Sequence, residues 1–320
     1  MSLHAPENLP AFEPRSLQFD PQVERVRAEL LKIDPDGART ASVIRTSIDM
    51  LYNGRYTGRF RWDQLFKTEK THAGTLLEIN LQREFEFEDG DSMDFKIAGI
   101  DIDCKYSQKS GSWMIPPEAV GHLCLLVWFN DQSSRWELGV VRIDERILSY
   151  GKNRDLKRTI RSDAREAISW IRRDAPLPEN VLLKLSDDDI DAIFVKLAGK
   201  RRGQKRVNEL FRRAQGRLVS RTAIETAGMQ DDPLRRVRYN GGARTDLQGE
   251  GIVIFGEYKL HQAMARDLGL PVPGKGEFVS ARLTPYREHV GLGRVSLDGS
   301  DWMLASAEDP VVTAPTIPKG

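Results

Sequence analysis

The chain reads as an α/β protein: a mixed sheet flanked by helices, followed by a basic helical module. Three observations predict this. Ser92 to Tyr106 alternates apolar and charged residues on either side of Ala98-Gly99, the pattern of a β-hairpin. Gly121 to Phe129 reads Gly-His-Leu-Cys-Leu-Leu-Val-Trp-Phe, an apolar run suited to a strand buried on both faces. Between Lys200 and Arg244, 13 Lys/Arg stand against 4 Asp/Glu, a local +9 in a chain whose total is +1.

The elements follow in order. Pro6, Pro10 and Pro14 mark the first 15 or so residues as an arm. Val23, Val26, Leu30 and Leu31 recur at helical spacing behind Pro21, a residue that fits a first helical turn. A second helix is expected over Thr40–Tyr52, then a turn at Asn53-Gly54, then a short amphipathic stretch over Trp62–Glu69. Gly74–Phe87 carries Leu76, Leu77, Ile79 and Leu81 and suits a buried helix containing Glu78. After the hairpin come strands at Gly121–Phe129 and Trp136–Ile143. Pro176 and Pro178 make Ala175–Glu179 the expected linker. It divides the chain into residues 1–175 and 180–320. The tail from Thr313 to Gly320 contains two prolines and reads as loose.

Composition excludes several classes. No apolar run reaches ~18 residues, so no membrane span is expected. The N-terminus lacks the basic and apolar regions of a signal peptide. Cys104 and Cys124 are the only cysteines, too few for a disulfide framework, and a cytoplasmic protein is expected. His4, His72, His122, His261 and His289 are scattered without metal-ligand spacing. His122, Cys104 and Cys124 read as core residues.

The hairpin carries the chemistry. Phe95, Ile97, Ile100, Ile102 and Cys104 share one face, while Asp94, Lys96, Asp101, Asp103 and Lys105 share the other. A two-residue loop at Ala98-Gly99 pairs Ile97 with Ile100. Lys96 then faces Asp101 as a salt bridge, and Asp94 faces Asp103. Opposed like charges are destabilising unless a cation lies between them. A hard divalent cation such as Mg²⁺ takes one or two carboxylates plus other oxygens. Asp94, Asp103 and the backbone carbonyl of Cys104 meet that need. Lys105 is placed to position or activate a water and to offset phosphate charge. Glu78 is the natural additional acid. An Asp-x-Lys alone is most often a solvated strand face. The opposed acid, the tight turn and the apolar reverse face favour a phosphodiesterase site.

In the basic half, Val207, Leu210, Phe211 and Ala214 form a helical stripe. Ser220 suits the cap of a second helix closed by Gly228. Asp231-Asp232-Pro233 suits the start of a third, carrying Arg235, Arg236 and Arg238. Asn240-Gly241-Gly242 interrupts it, and Ala243–Gln248 resumes it before a strand at Gly251–Phe255. Three short helices and a strand is the order of a winged helix-turn-helix, which reads double-stranded DNA through its major groove. Arg221, Arg235, Arg236, Arg238 and Arg244 are its expected DNA contacts. The bland alternative is a solvated basic bundle.

From Trp62 nearly to the C-terminus the chain resembles the NaeI restriction endonucleases. The motifs that carry this are Asp63-Gln64-Leu65, Lys67-Thr-Glu-Lys-Thr-His72, Gly74-Thr75, Glu78-Ile-Asn-Leu81, Ala98-Gly99 and Asp103-Cys-Lys105. They continue with Asn153-Arg-Asp-Leu-Lys-Arg158, Arg206-Val-Asn-Glu-Leu-Phe-Arg-Arg213, Gln230-Asp-Asp232, Gly241-Gly-Ala-Arg244 and Asp267-Leu-Gly-Leu-Pro-Val-Pro273. The resemblance implies a restriction-endonuclease-like domain, a winged-helix domain and a homodimer. It implies Mg²⁺-dependent double-strand cleavage at a GC-rich palindrome, GCCGGC if specificity is shared. It also implies the type IIE habit, in which a second DNA site bound by the C-terminal domain activates cleavage. The family's active-site residues fall on Glu78, Asp94, Asp103 and Lys105. Met93 stands where the wider superfamily often has proline. Two alternatives from other classes are a DNA-binding regulator with an inactive nuclease fold and a strand-joining enzyme. The latter needs a covalent nucleophile, and neither Tyr52 nor Tyr106 has a supporting constellation. The faint ligase-like stretch around Leu51-Tyr52-Asn53-Gly54 has leucine where that chemistry needs lysine.

Overall fold

The computed structural model describes residues 19–151, 153–195, 202–230, 232–237, 242–288 and 293–318. The N-terminal arm lies outside them. The chain forms two compact units. The first joins the described residues up to Leu51 with Phe66–Pro178, and the second joins Tyr52–Leu65 with the residues from Glu179 onward.

Four helices open the chain: α1 (Pro21–Ile33), α2 (Ala38–Tyr52), α3 (Gly54–Thr57) and α4 (Lys67–Phe85). Asp20 caps α1 by accepting the N–H groups of Gln22 and Val23, and Pro21 occupies the first turn, where no N–H is needed. Buried Asp34 starts α2 by accepting the N–H groups of Arg39 and Thr40. The Glu69 carboxylate accepts the Phe66 N–H at 2.8 Å to start α4, which ends at Glu86 in the left-handed region. The short amphipathic stretch Trp62–Glu69 forms a 3₁₀ turn, Trp62–Gln64, and the start of α4. Ala73, Leu77 and Leu81 form the buried stripe of α4, and Ile79 is exposed. Buried Asn80 donates to the Ser47 hydroxyl on α2 at 2.9 Å.

The first unit then contributes β1 (Glu88–Asp89), β2 (Phe95–Ile97), β3 (Ile100–Ser107), β4 (Met114–Ile115), β5 (Leu123–Asn130), β6 (Arg135–Arg142), β7 (Arg158–Thr159) and β8 (Ser169–Pro176). Six of them form a mixed sheet in the order β1-β2-β3-β5-β6-β8, with β4 and β7 paired separately. Only β3 and β5 are parallel, so a crossover joins them. Cys124, Leu126 and Val141 meet Trp113, Ile147 and Ile160 in one core cluster. His122 is half-buried and just precedes β5, so it is not a core strand residue.

The second unit contains α3 and then α5 (Asp187–Phe194), α6 (Arg202–Arg213), β9 (Leu218–Ser220), α7 (Arg221–Gly228), α8 (Ala243–Asp246), β10 (Ile252–Phe255), α9 (Lys259–Asp267), β11 (Glu277–Pro285), β12 (Val295–Leu297) and β13 (Ser300–Leu304). Its strands run β10-β11-β13-β12, with β9 also on β11. Val207, Leu210, Phe211 and Ala214 of the predicted stripe pack with Ala223, Ile224, Ala227 and Phe60. A Cβ on Gly54 would sit 2.1 Å from the Thr226 hydroxyl, so the α3–α7 approach leaves no room for a side chain. Ser220 caps α7 as expected, but Met229, not Gly228, takes the left-handed position that ends it. Gly228 is the last helical residue and is buried against α6, where Gly203 lies close to its carbonyl. The expected third helix is a short 3₁₀ turn, Pro233–Val237, followed by one turn at α8. The tail is not loose as far as Pro318. Ala314 and Ile317 are buried, Ala314 exchanges backbone and side-chain hydrogen bonds with Gln248, and the Pro318 carbonyl lies 3.0 Å from His261 Nε2.

Candidate active site

The hairpin forms in the expected register, Phe95 opposite Ile102, Lys96 opposite Asp101 and Ile97 opposite Ile100. Ala98 and Gly99 have φ of 53° and 74°, the conformation of a primed two-residue turn that matches strand twist. Two side-chain expectations change. Lys96 binds Asp91 at 2.6 Å rather than Asp101. Asp101 instead accepts the N–H groups of Asp91 and Ser92, both at 2.9 Å, and so ties down the approach to the hairpin. Regular pairing also ends at Phe95. The Asp94 N–H goes to the Ile102 carbonyl, and its carboxylate accepts the Cys104 N–H at 2.6 Å. Asp94 therefore caps the partner strand rather than standing squarely opposite Asp103.

Three oxygens converge on one cation. The Lys105 ammonium binds Asp103 Oδ1, lies 3.2 Å from the Cys104 carbonyl and 3.8 Å from Asp94 Oδ2. These are the donors expected for a metal, and all are the hard oxygens that Mg²⁺ prefers. The donor set fits a divalent ion that uses two carboxylates and leaves further positions to water or phosphate. Among the described residues no group of three His, Cys, Asp or Glu side chains is arranged to hold a metal.

Glu78 reaches the site from α4. A Cβ on Gly74, one turn earlier, would stand 3.6 Å from the Tyr106 Cβ, an ordinary contact, so α4 passes β3 there with room for a side chain. Burial, and then the charge on Asp94, raises the Glu78 pKa. Burial likewise raises that of Asp103, against the pull of Lys105. Burial alone would lower the Lys105 pKa, but the Asp103 carboxylate outweighs it and raises it. Acids and lysine thus shift the same way for different reasons, the acids chiefly through burial and the lysine through the carboxylates of Asp103 and Asp94. With three carboxylates to one ammonium, the excess negative field favours cations.

Cys104 and Cys124 are buried, as expected. Cys124, however, does more than fill the core. It sits opposite Asp103 in the β3–β5 register, and its thiol donates to Asp103 Oδ2 at 3.3 Å. Burial pushes its pKa well up, so the proton stays on sulfur. Both oxygens of the Asp103 carboxylate are thereby held, one by Lys105 and one by Cys124. The only sequence signal for this contact is that an apolar strand carries a cysteine. Burial also pushes the pKa of the Tyr106 hydroxyl up, and Tyr52 is buried.

The expected DNA-contacting arginines lie in the second unit. Arg221 is exposed and binds Glu225 at 2.8 Å. Arg235 is exposed. Arg236 donates twice to Gln230 Oε1, and Arg244 is half-buried. Arg238 lies outside the described residues. Other members of the basic run serve structure. Arg212 binds Glu209 and Glu250, Arg213 binds Glu209 and Asp189, and Arg206 lies over the Phe194 ring.

The family described as restriction endonuclease NaeI matches residues 24–313. The type II restriction enzyme NaeI of Lentzea aerocolonigenes is 48% identical over 309 residues, 95% of this chain and 97% of the relative. The chain belongs to the NaeI restriction endonuclease family and is a site-specific deoxyribonuclease. No helix among the described residues is long and apolar enough to cross a membrane.

Proposed function

We propose that this member of the NaeI family is a type IIE enzyme. It hydrolyses double-stranded DNA with Mg²⁺ at Asp94, Asp103 and the Cys104 carbonyl. The observation that carries this reading is the convergence of those three oxygens on the Lys105 ammonium, beside Glu78. Bound there, Mg²⁺ supplies Lewis-acid stabilisation of the phosphoryl oxygens. Asp94 and Asp103 hold it, with their geometry fixed by the Cys104 N–H and by the Cys124 thiol. Lys105 orients the attacking water and neutralises charge developing on the phosphate. Glu78, whose proton is held more tightly than usual, is the group that exchanges a proton with water at this site. The products carry 5′-phosphate and 3′-hydroxyl ends.

The second unit is read as a winged-helix module. The order α6, β9, α7, a broken third helix and the β10–β11 pair supports this, as do exposed Arg221 and Arg235. In this reading it binds a second copy of a GC-rich palindrome and activates a homodimer. Plasmid DNA incubated with the protein is expected to give discrete fragments with Mg²⁺ and none with EDTA. Intact plasmid in Mg²⁺ on substrates with one or several GCCGGC sites would overturn the reading. Faster cutting of a one-site plasmid on adding a short duplex with the site tests the effector role.

A further inference from the structure

The loop between β6 and β7 holds a turn built against ordinary preference. The Leu156 N–H donates to the Asn153 carbonyl and the Asn153 N–H to the Lys157 carbonyl, both at 3.0 Å. The Asn153 carboxamide oxygen also accepts the N–H groups of Asp155 and Lys157, at 3.0 and 2.8 Å. This is a three-residue hairpin loop, in which a turn is followed by one residue in the left-handed region. That place is normally taken by glycine, because a Cβ there is strained. Here it is Leu156, with φ 60°. The leucine is not repaid by burial, since 56% of it is exposed.

Its surroundings point to a partner. Arg154 is exposed, Lys157 is half-exposed, and Tyr150, at 72% exposure, lies on the same loop. Leu156 stands between exposed Asp155 and Lys157, with Arg154 one residue further back, and an exposed apolar tip carrying two cations to one acid on a hydrogen-bonded turn has the chemistry of a groove probe. Cations meet phosphates, and the apolar residue meets the bases. The turn belongs to the same compact unit as the candidate active site.

We propose that the Asn153–Lys157 turn contacts the DNA being cut, with Leu156 against the bases and Arg154 and Lys157 on flanking phosphates. The proposal rests on the nuclease reading above and adds a contact that the acid–lysine site does not need. Its test uses the full chain and a short duplex containing the sequence it cuts. Binding is followed in Ca²⁺ and cleavage in Mg²⁺. Leu156→Gly fits the left-handed turn, so its melting temperature is expected to hold or rise. Its affinity is expected to fall about five- to tenfold. Leu156→Met keeps an apolar tip and is expected to bind like the parent. Arg154→Ala and Lys157→Ala are each expected to reduce the slope of log affinity against log salt by about one. Parent-like affinity, salt slope and cleavage in Leu156→Gly, Arg154→Ala and Lys157→Ala together would overturn the proposal. Should the parent itself leave DNA uncut, the nuclease reading fails instead, and the two failures are told apart.

Discussion

The acid–lysine hairpin of the first unit and the arginine-rich run of the second treat charge in opposite ways. In the hairpin, unlike charges are gathered until three oxygens meet one ammonium. In the arginine run, charges are spread over several short elements, and Arg212, Arg213 and Arg236 are spent on partners within the unit. The difference teaches that spacing and count are different kinds of information. A strand fixes side-chain direction by a period of two, so spacing along it places groups. A count of arginines over broken helices places none of them.

The largest expected effect tests the first half of this contrast. Asp103→Ala or Lys105→Ala should reduce cleavage by about a hundred- to a thousandfold, with DNA binding retained in a gel-shift assay. Undiminished cutting would break the idea that convergence matters. A smaller effect sharpens it. Cys124→Val removes the donor to Asp103 at little change in volume. It should slow cleavage about ten- to a hundredfold, mainly in kcat, while Cys124→Ser keeps most of the rate. Equal rates for the two variants would make the thiol a core residue only.

The second half is tested by two arginines. Arg235→Ala should lower DNA affinity and cut the salt slope by about one with melting unchanged. Arg212→Ala should do the reverse. It loses Glu209 and Glu250 at a partly solvent-screened site, for about 1 kcal/mol of stability. If both behaved alike, the division between surface and structural arginines would be wrong. The smallest effect concerns pH. Folding raises the Glu78 pKa above its ordinary 4.5, so the acid contributes stability below that value and loses it as pH rises through the folded one. Glu78→Gln should therefore melt like the parent in acid and above it at neutral and alkaline pH, although it cuts poorly. A constant difference across pH would contradict the shift.

Much of the first unit was legible for the same physical reason. The alternation around Ala98-Gly99 gave the β2–β3 register, and the apolar run gave β5. The Cys124–Asp103 contact was not legible, because it depends on which strand the crossover lays beside β3. Nor was the Asp94 cap on Cys104, which arises where regular pairing stops. In the second unit, Ser220 marked α7, but the end of that helix at Met229 and the packed tail depend on tertiary neighbours. The expected linker did not reveal that Tyr52–Leu65 belongs with residues from Glu179 onward.

That last feature bears on modularity. The second unit is not a cassette that begins after the prolines of the linker. Phe60 lies in its core, and Asn180 donates to the Phe60 carbonyl at 3.0 Å. A fragment starting at Glu179 lacks a piece of its own interior. Cleavage at the linker should consequently leave two polypeptides that stay together, and grafting this unit onto another nuclease requires carrying a segment from more than a hundred residues upstream.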